Sequence, residues 1–201
     1  MKTRVVFIIA AAALLVTLPL AAQSQADKDK AMEAYMKAGA VTANHEFFKS
    51  YVGAWDVETT MWTLPGKPPT KSKNTFDASL ILGGRFIKMT FQGTMMGMPF
   101  EGLQIIGFDN IQGKYITLWI DNTSTSFFQT SGTRDGNTIS ETGEWLDPVT
   151  GVTSKVRALT KWIGPDEVVY ETYMVLPDGK EFKNMENHCL RKKVPLSSSG
   201  A

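Results

Sequence analysis

The stretch PFEGLQIIGFDNIQGKYITLWID, residues 99–121, decides the fold of this chain. Its two arms are apolar or aromatic at nearly every position. Residues 109–113 between them, Asp-Asn-Ile-Gln-Gly, tolerate the backbone geometry of a tight turn. This pattern predicts two antiparallel strands joined as a hairpin.

The same alternation of strand and turn continues from residue 54 to residue 191 without a convincing helix. Turn signals such as Asp135-Gly136 and Asp178-Gly179 separate the strands at regular intervals. Regular hairpins predict an all-β fold, an up-and-down antiparallel barrel of about ten strands, in preference to a Greek-key sandwich. Closure removes exposed sheet edges, and a barrel of this size usually leaves a cavity. The strands are predicted at residues 56–62, 74–81, 85–92, 100–108, 115–121, 126–131, 138–145, 153–162, 167–176 and 180–191.

Residues 1–26 have the organisation of a signal peptide. Lys2 and Arg4 precede an apolar run that ends at Leu20, and the small residues Ala22 and Ala26 offer cleavage sites. An uncleaved membrane anchor is the alternative, but the run is short for a membrane span and polar residues follow it directly. We therefore expect an exported protein, secreted or periplasmic, with no stable membrane insertion after cleavage.

The rest of the chain has the length of a single domain. The spacing of its apolar residues predicts an N-terminal helical segment at residues 27–51, lying against the barrel or across one opening. The barrel domain is expected at residues 52–193, and residues 194–201 are expected to form a flexible tail.

Charge and cysteine content argue against several classes of function. The chain has 21 basic and 20 acidic residues, and removal of Lys2 and Arg4 with the leader leaves a net charge of −1. A near-neutral chain has no electrostatic reason to bind nucleic acid. Cys189 is the only cysteine, so no intramolecular disulfide can form and stability must come from packing and sheet closure.

Gly53 and Trp55 open the first strand, and Arg191 ends the last. The first and last strands of an up-and-down barrel are neighbours, so the Arg191 guanidinium can stack on the Trp55 ring and close the barrel. Here the chain resembles the lipocalin and calycin group, whose hallmark is Gly-x-Trp with a late arginine.

Longer motifs resemble a more specific set, the bacterial secreted family known as domain of unknown function 1579. The resemblance implies a lipocalin-like fold and secretion, and the family brings no established activity. It rests on His45 with Gly53-Ala-Trp55, Leu82-Gly-Gly-Arg-Phe86, Phe100-Glu-Gly-Leu103, Gly107-Phe-Asp109, Trp119-Ile-Asp121, Asp147-Pro-Val-Thr-Gly151, and Asp178-Gly-Lys180 with Arg191.

The two histidines, His45 and His188, are too few for a histidine-only zinc site, and no metal ligands are assigned. Small haem-binding barrels resembling nitrobindin place an axial histidine late in the chain, which makes His188 a haem candidate. Strand parity opposes this: if Arg191 points inward, His188 faces outward. We expect no cofactor.

The methionines of residues 95–98 allow two interpretations. Thioether clusters bind copper(I), but such sites usually contain more methionine or an added histidine. An apolar lip over the barrel mouth, able to act as a gate, is the favoured interpretation.

Residue alternation suggests which side chains line the cavity. On the fifth strand, the aliphatic set Ile116, Leu118 and Ile120 is expected to pack against the helix or core, which leaves Trp119 facing the pocket. The candidate cavity-lining residues are Arg85, Met89, Phe91, Phe108, Trp119, Asp121 and Tyr173.

The resulting hypothesis is an exported lipocalin-like protein that binds a small hydrophobic or amphipathic molecule. No convincing nucleophile or catalytic motif is present, and no catalytic residues are assigned. Two alternatives stay open: an enzyme of unknown reaction and a structural or interaction barrel without ligand. The enzyme would use cavity carboxylates drawn from Glu101, Asp109, Asp121, Glu141, Glu144 and Glu171.

Overall fold

Ten antiparallel strands dominate the protein, whose computed structural model describes residues 24–147, 150–176 and 178–193. The N-terminal part holds α1 (Gln25–Ala38), α2 (Ala43–Glu46) and a 3₁₀ helix (Phe47–Ser50). The strands are β1 (Gly53–Met61), β2 (Thr70–Ile81), β3 (Phe86–Met95), β4 (Met98–Asp109), β5 (Lys114–Asp121), β6 (Phe128–Asp135), β7 (Thr138–Leu146), β8 (Thr153–Gly164), β9 (Glu167–Val175) and β10 (Glu181–Arg191).

The strands form a closed barrel in which every strand pairs with its neighbours in sequence and β1 pairs with β10. The prediction of an all-β, up-and-down antiparallel barrel is therefore confirmed. The predicted strands all exist, because Gly-containing turns with positive φ, such as Gly113 and Gly136, interrupt the apolar runs where the sequence suggested.

The junction of β1 and β10 places Trp55 opposite Arg191. The Trp55 ring is fully buried, and the Arg191 guanidinium lies 4.1 Å from its centroid. Arg191 also donates hydrogen bonds to the carbonyls of Ser50 and Val52 and to the carboxylate of Asp166. One side chain thus joins the last strand, the first strand and the 3₁₀ helix.

The two ends of the barrel differ. At one end, here called the plugged end, Phe48 and Tyr51 of the helical segment fill the interior against Trp55, Ile87 and Tyr115, which are at most 4% exposed. The turns β2–β3, β4–β5, β6–β7 and β8–β9 lie at this end. The opposite end, the mouth, carries the turns β1–β2, β3–β4, β5–β6, β7–β8 and β9–β10.

The expectation for the aliphatic residues of β5 is wrong. Tyr115 and Thr117 are the buried residues of this strand, so Ile116, Leu118 and Ile120 lie on the outer face, where they are half-buried. Tyr115 takes the place under the helical segment because its ring packs against Phe47 and Phe48.

Within the described part of the chain, residues 24–36 form a unit separate from the rest, and they contain most of α1. None of the α1 residues is buried. Ser24 and Asp27 cap its first turn, because each backbone N–H donates to the side chain of the other at 3.2 Å. No helix in the described ranges has the length and apolar character to cross a membrane. The signal peptide expected at residues 1–26 lies mostly outside the described residues, and the tail expected at residues 194–201 lies entirely outside them.

Candidate functional site

The strand register brings five of the seven predicted lining residues to the interior face, namely Met89, Phe91, Phe108, Trp119 and Asp121. Phe108 belongs to the plugged end, where its ring packs against Tyr115 at 5.0 Å. Met89 is only 2% exposed within the core. Phe91, Trp119 and Asp121 lie nearer the mouth and are half-buried.

The placement of Arg85 and Tyr173 differs from the expectation. Arg85 lies in the turn before β3, and its Nε donates to the carbonyl of Gly39 at 2.8 Å. Tyr173 follows the buried Thr172, so it faces outward, and the Arg157 guanidinium covers its ring at 4.2 Å. Neither side chain lines the interior.

A chain of aromatic rings runs along one wall from the plugged end to the mouth. Trp55 stacks on Phe76 at 5.6 Å, Phe76 meets Phe91 at 5.0 Å, and Phe91 meets Trp119 at 5.1 Å. Beyond Trp119, the wall ends at Phe100, whose ring stacks at 6.1 Å. This aromatic wall offers an apolar molecule a continuous surface.

Trp119 is held in place from two sides. Its Nε1 donates to the Asp121 carboxylate at 2.7 Å. Its six-membered ring lies on Gly102, where an added Cβ would come within 2.4 Å of the indole. Burial favours a higher pKa for Asp121, but hydrogen bonds from Thr123 and Trp119 outweigh it and lower the pKa, so this carboxylate is ionised at the mouth.

Deeper in the barrel, Glu141 places a carboxyl group on the interior face. It is 5% exposed, and Thr117 Oγ1 donates to it at 2.8 Å. Burial raises the pKa of Glu141 to about 7, against the opposing effect of hydrogen bonds from Thr117 and Thr130. No basic side chain in the described ranges contributes to this shift.

Three further polar side chains lie in the barrel interior, and together with Glu141 they are called the interior polar cluster: Tyr51, Tyr170 and Asn187. Burial, and then the charge of Glu141, raise the pKa values of the Tyr51 and Tyr170 hydroxyls. Asn187 pairs with Tyr170 in the adjacent strand and shares its face of the sheet.

Two polar atoms of this cluster have no hydrogen-bond partner among the described residues. They are the Tyr51 hydroxyl and the Asn187 side-chain oxygen, and both are shielded from solvent. A third such atom, Trp162 Nε1, belongs to the plugged end, where the ring meets Tyr51 edge-on at 4.3 Å. Buried polar groups in proteins are nearly always hydrogen-bonded, so unpaired ones need an explanation.

The sequence analysis named Glu141 only among other carboxylates and missed Tyr51, Tyr170 and Asn187. Glu141 lies two residues after the apolar Ile139 on β7, so strand alternation could have predicted that the glutamate faces the interior. The other three take their places in the interior through cross-strand pairing and the fold of the helical segment, which the sequence does not show.

Cavities open among the strands toward the mouth. One of about 500 Å³ lies between the ends of β2 and β3, and its border includes the methionines Met61, Met95 and Met96 and the charged residues Glu58, Lys71 and Lys73. It forms where the Asn74 side chain accepts the backbone N–H of Thr94 at 3.0 Å, beyond the last β2–β3 pair. A second cavity of about 370 Å³ lies around β7, β8 and the end of β9.

The remaining candidates for chemistry are dispersed. Glu101 is exposed on the outer face, whereas Asp121 faces inward, so these two carboxylates do not share a site. His188 lies on the outer face with Glu167 at 2.8 Å. Within the described ranges, no group of three or more His, Cys, Asp or Glu side chains is placed to hold a metal ion.

The fold and the interior cluster define a closed up-and-down β-barrel with a packed end, an accessible end and a polar group inside. The chain belongs to the family described as "Protein of unknown function (DUF1579)", whose model matches residues 40–191. This confirms the resemblance found in the sequence. No curated protein matches the chain.

Solved structures show a similar fold. Rv2717c from M. tuberculosis is 14% identical with a TM-score of 0.53, over 77% of this chain and 100% of that one. A redesigned β-barrel, mFAP1 bound to DFHBI, is 14% identical with a TM-score of 0.39, over 72% of this chain and 97% of that one. At this level of identity, the similarity to Rv2717c shows the barrel fold alone.

Proposed function

We propose that this protein binds a small, partly apolar molecule in the mouth half of the barrel. The observation that carries the proposal is the presence of two unpartnered atoms in the barrel interior, Tyr51 Oη and Asn187 Oδ1. A barrel that served only as a scaffold gains nothing from unsatisfied polar groups, each of which costs about 1–3 kcal/mol. A ligand that enters along Phe91 and Trp119 supplies the missing partners.

The alternatives have less support. An enzyme that used Glu101 with Asp121 would need both carboxylates in one cavity, and they lie on opposite faces of the sheet. A purely structural barrel would have to satisfy the unpartnered atoms with buried water alone.

Export remains part of the proposal. We infer from the leader-like residues 1–26 that the protein acts in the periplasm or outside the cell, where a carrier meets small hydrophobic or amphipathic molecules.

Titration with N-phenyl-1-naphthylamine, a neutral apolar probe whose fluorescence rises in apolar surroundings, tests the binding site. We expect saturable binding at one site, weakened about tenfold or more in Trp119→Ala and Phe91→Ala because each removes part of the aromatic wall. Tyr173→Ala is the matched control, since this aromatic residue lies on the outer face. Absence of binding, or equal weakening by Tyr173→Ala, would overturn the proposal.

A further inference from the structure

The wall of the barrel is split near the mouth, between β2 and β3. The pairing of these strands ends at Asn74 and Gly93. Beyond that point, residues 70–73 pair only with β1, whereas Thr94 and Met95 pair only with β4. The cavity of about 500 Å³ lies in this split, and its volume is in the range of small-molecule pockets. The split therefore offers a ligand a lateral way into the mouth half of the barrel.

The cavity is amphipathic because it is bordered by both faces of the wall. Side chains alternate along a strand, so Met61 and Met95 belong to the inner face, which Met95 shares with Phe91 of the aromatic wall. Lys71 and Lys73 belong to the outer face of β2. The cavity thus has thioether groups on its interior side and ammonium groups on its solvent side.

The charges on its border leave one cation available to a ligand. Lys71 donates to the Glu58 carboxylate at 2.9 Å. Lys73 has no carboxylate within ion-pair distance among the described residues, so the two lysines and one glutamate give the border a net charge of +1. The hydroxyl groups of Ser72 and Thr94 border the same cavity and can donate hydrogen bonds to an anion.

We infer that the ligand is an anionic amphiphile, whose head group pairs with Lys73 in the split and whose apolar body extends past Met95 toward the aromatic wall. This inference rests on the proposed binding function and names the class of ligand. Lys73 is exposed, so the head group keeps contact with water and binding does not bury an unpaired charge.

Two probes with the same apolar body test the inference. N-phenyl-1-naphthylamine is neutral, and 8-anilinonaphthalene-1-sulfonate carries a sulfonate on the same ring system. Fluorescence titration at pH 7.5 and low salt gives the dissociation constant of each. We expect the sulfonate probe to bind about fivefold more tightly or better, with an advantage that shrinks at high salt because salt screens exposed charges. Equal or weaker binding of the sulfonate probe would overturn the head-group inference while leaving the binding site intact.

Two substitutions at exposed positions should change the preference for the sulfonate probe in opposite directions. Lys73→Gln removes the available ammonium group, so we expect the preference to fall about fivefold. Glu58→Gln releases Lys71 from its ion pair, so we expect the preference to rise about threefold. Binding of the neutral probe should change little in either variant. Opposite changes cannot arise from a general loss of folding.

Lys88→Gln is the matched control, since Lys88 lies on the outer face of β3 opposite Ser79 and does not border the cavity. A loss of preference in Lys88→Gln as large as in Lys73→Gln would contradict the assignment of the head-group site. An unchanged preference in both Lys73→Gln and Glu58→Gln would also overturn it. Failure of the neutral probe to bind the wild type overturns the proposed function instead.

Discussion

Glu141 is where this barrel departs from the usual composition of a protein interior. Buried glutamates are rare unless paired, and this one has two threonine hydroxyls but no cation. Its place follows from strand alternation, because Ile139 on the same strand is buried in the core. A position that aliphatic packing would fill more stably is held by a carboxyl group, which is typical of a functional residue.

The titration of Glu141 has a defined effect on stability. Burial raises its pKa from an ordinary value of 4.5 to about 7, so the folded protein holds this proton more tightly than the unfolded chain. The contribution of this proton to the free energy of unfolding is fully present below a pH of about 4.5 and is lost as the pH rises through about 7. The total change in the free energy of unfolding is about 3 kcal/mol.

We expect Glu141→Gln to remove most of the fall in melting temperature between pH 5 and pH 8, and to be at least as stable as the wild type at pH 8. Thermal unfolding at several pH values is the measurement, with Glu144→Gln as the control. The measurements stay above pH 5 because Glu171 has the opposite effect at lower pH, where its protonation reduces the stability of the fold. Burial favours a higher pKa there, but hydrogen bonds from Lys161 and Lys183 lower it to about 2. A pH slope identical to that of the wild type would contradict the assignment.

At the scale of elements, the β4–β5 hairpin connects fold and site. Gly102 and Trp119 face the same interior, and the absence of a side chain at Gly102 lets the indole lie against the backbone of β4. The hairpin that defines the fold in the sequence therefore also supplies Trp119, on which the proposed binding site depends.

Gly102→Ala is expected to displace the Trp119 ring, because the new Cβ would lie 2.4 Å from it. The predicted result is a shift in tryptophan fluorescence, weaker binding of N-phenyl-1-naphthylamine, and a loss of about 1–3 kcal/mol in the free energy of unfolding. Gly164→Ala is the control, since nothing lies within 4 Å of the added methyl group. If both variants bind the probe as the wild type does, Trp119 does not form the site.

The strands and turns could be predicted where residues close together in the sequence determine them. Turn residues and apolar runs are local, so the ten strands and the inward orientation of Phe91 and Trp119 followed from the sequence. Tyr173 was misplaced because residue polarity does not mark the inner face of β9, where the adjacent residues Glu171 and Thr172 are both buried. Arg85 was misplaced because a 3₁₀ turn with Gly83 at positive φ delays the start of β3.

The barrel interior as a whole has a packed half and a more open half. Tight packing of Phe48, Trp55 and Tyr115 at the plugged end supplies the core, so the mouth half can keep half-buried aromatic rings, where we propose that a ligand binds. The sequence predicted closure and left open whether the helical segment lies against the barrel or across one opening, because the position of the plug depends on where the 3₁₀ helix docks.

Maturation of the chain is the last property that the fold constrains. Cleavage after Ala22 and cleavage after Ala26 are equally compatible with small residues at the site, but only the first keeps Ser24. Ser24 and Asp27 cap the first turn of α1 through reciprocal hydrogen bonds, and a capping interaction contributes about 1 kcal/mol to a helix. We therefore expect export with cleavage after Ala22, which leaves Gln23 as the mature N-terminus.

Expression of the full chain in a bacterium, followed by fractionation and intact-mass measurement, tests this expectation. The exported protein should have the mass of residues 23–201, and Ala22→Phe should accumulate with its leader attached because a bulky residue blocks cleavage. A mature chain that begins at Asp27 would show that the helix cap has no bearing on processing. Retention of the full-length chain in the membrane fraction would instead favour the uncleaved anchor, and it would place the ligand site at a membrane surface.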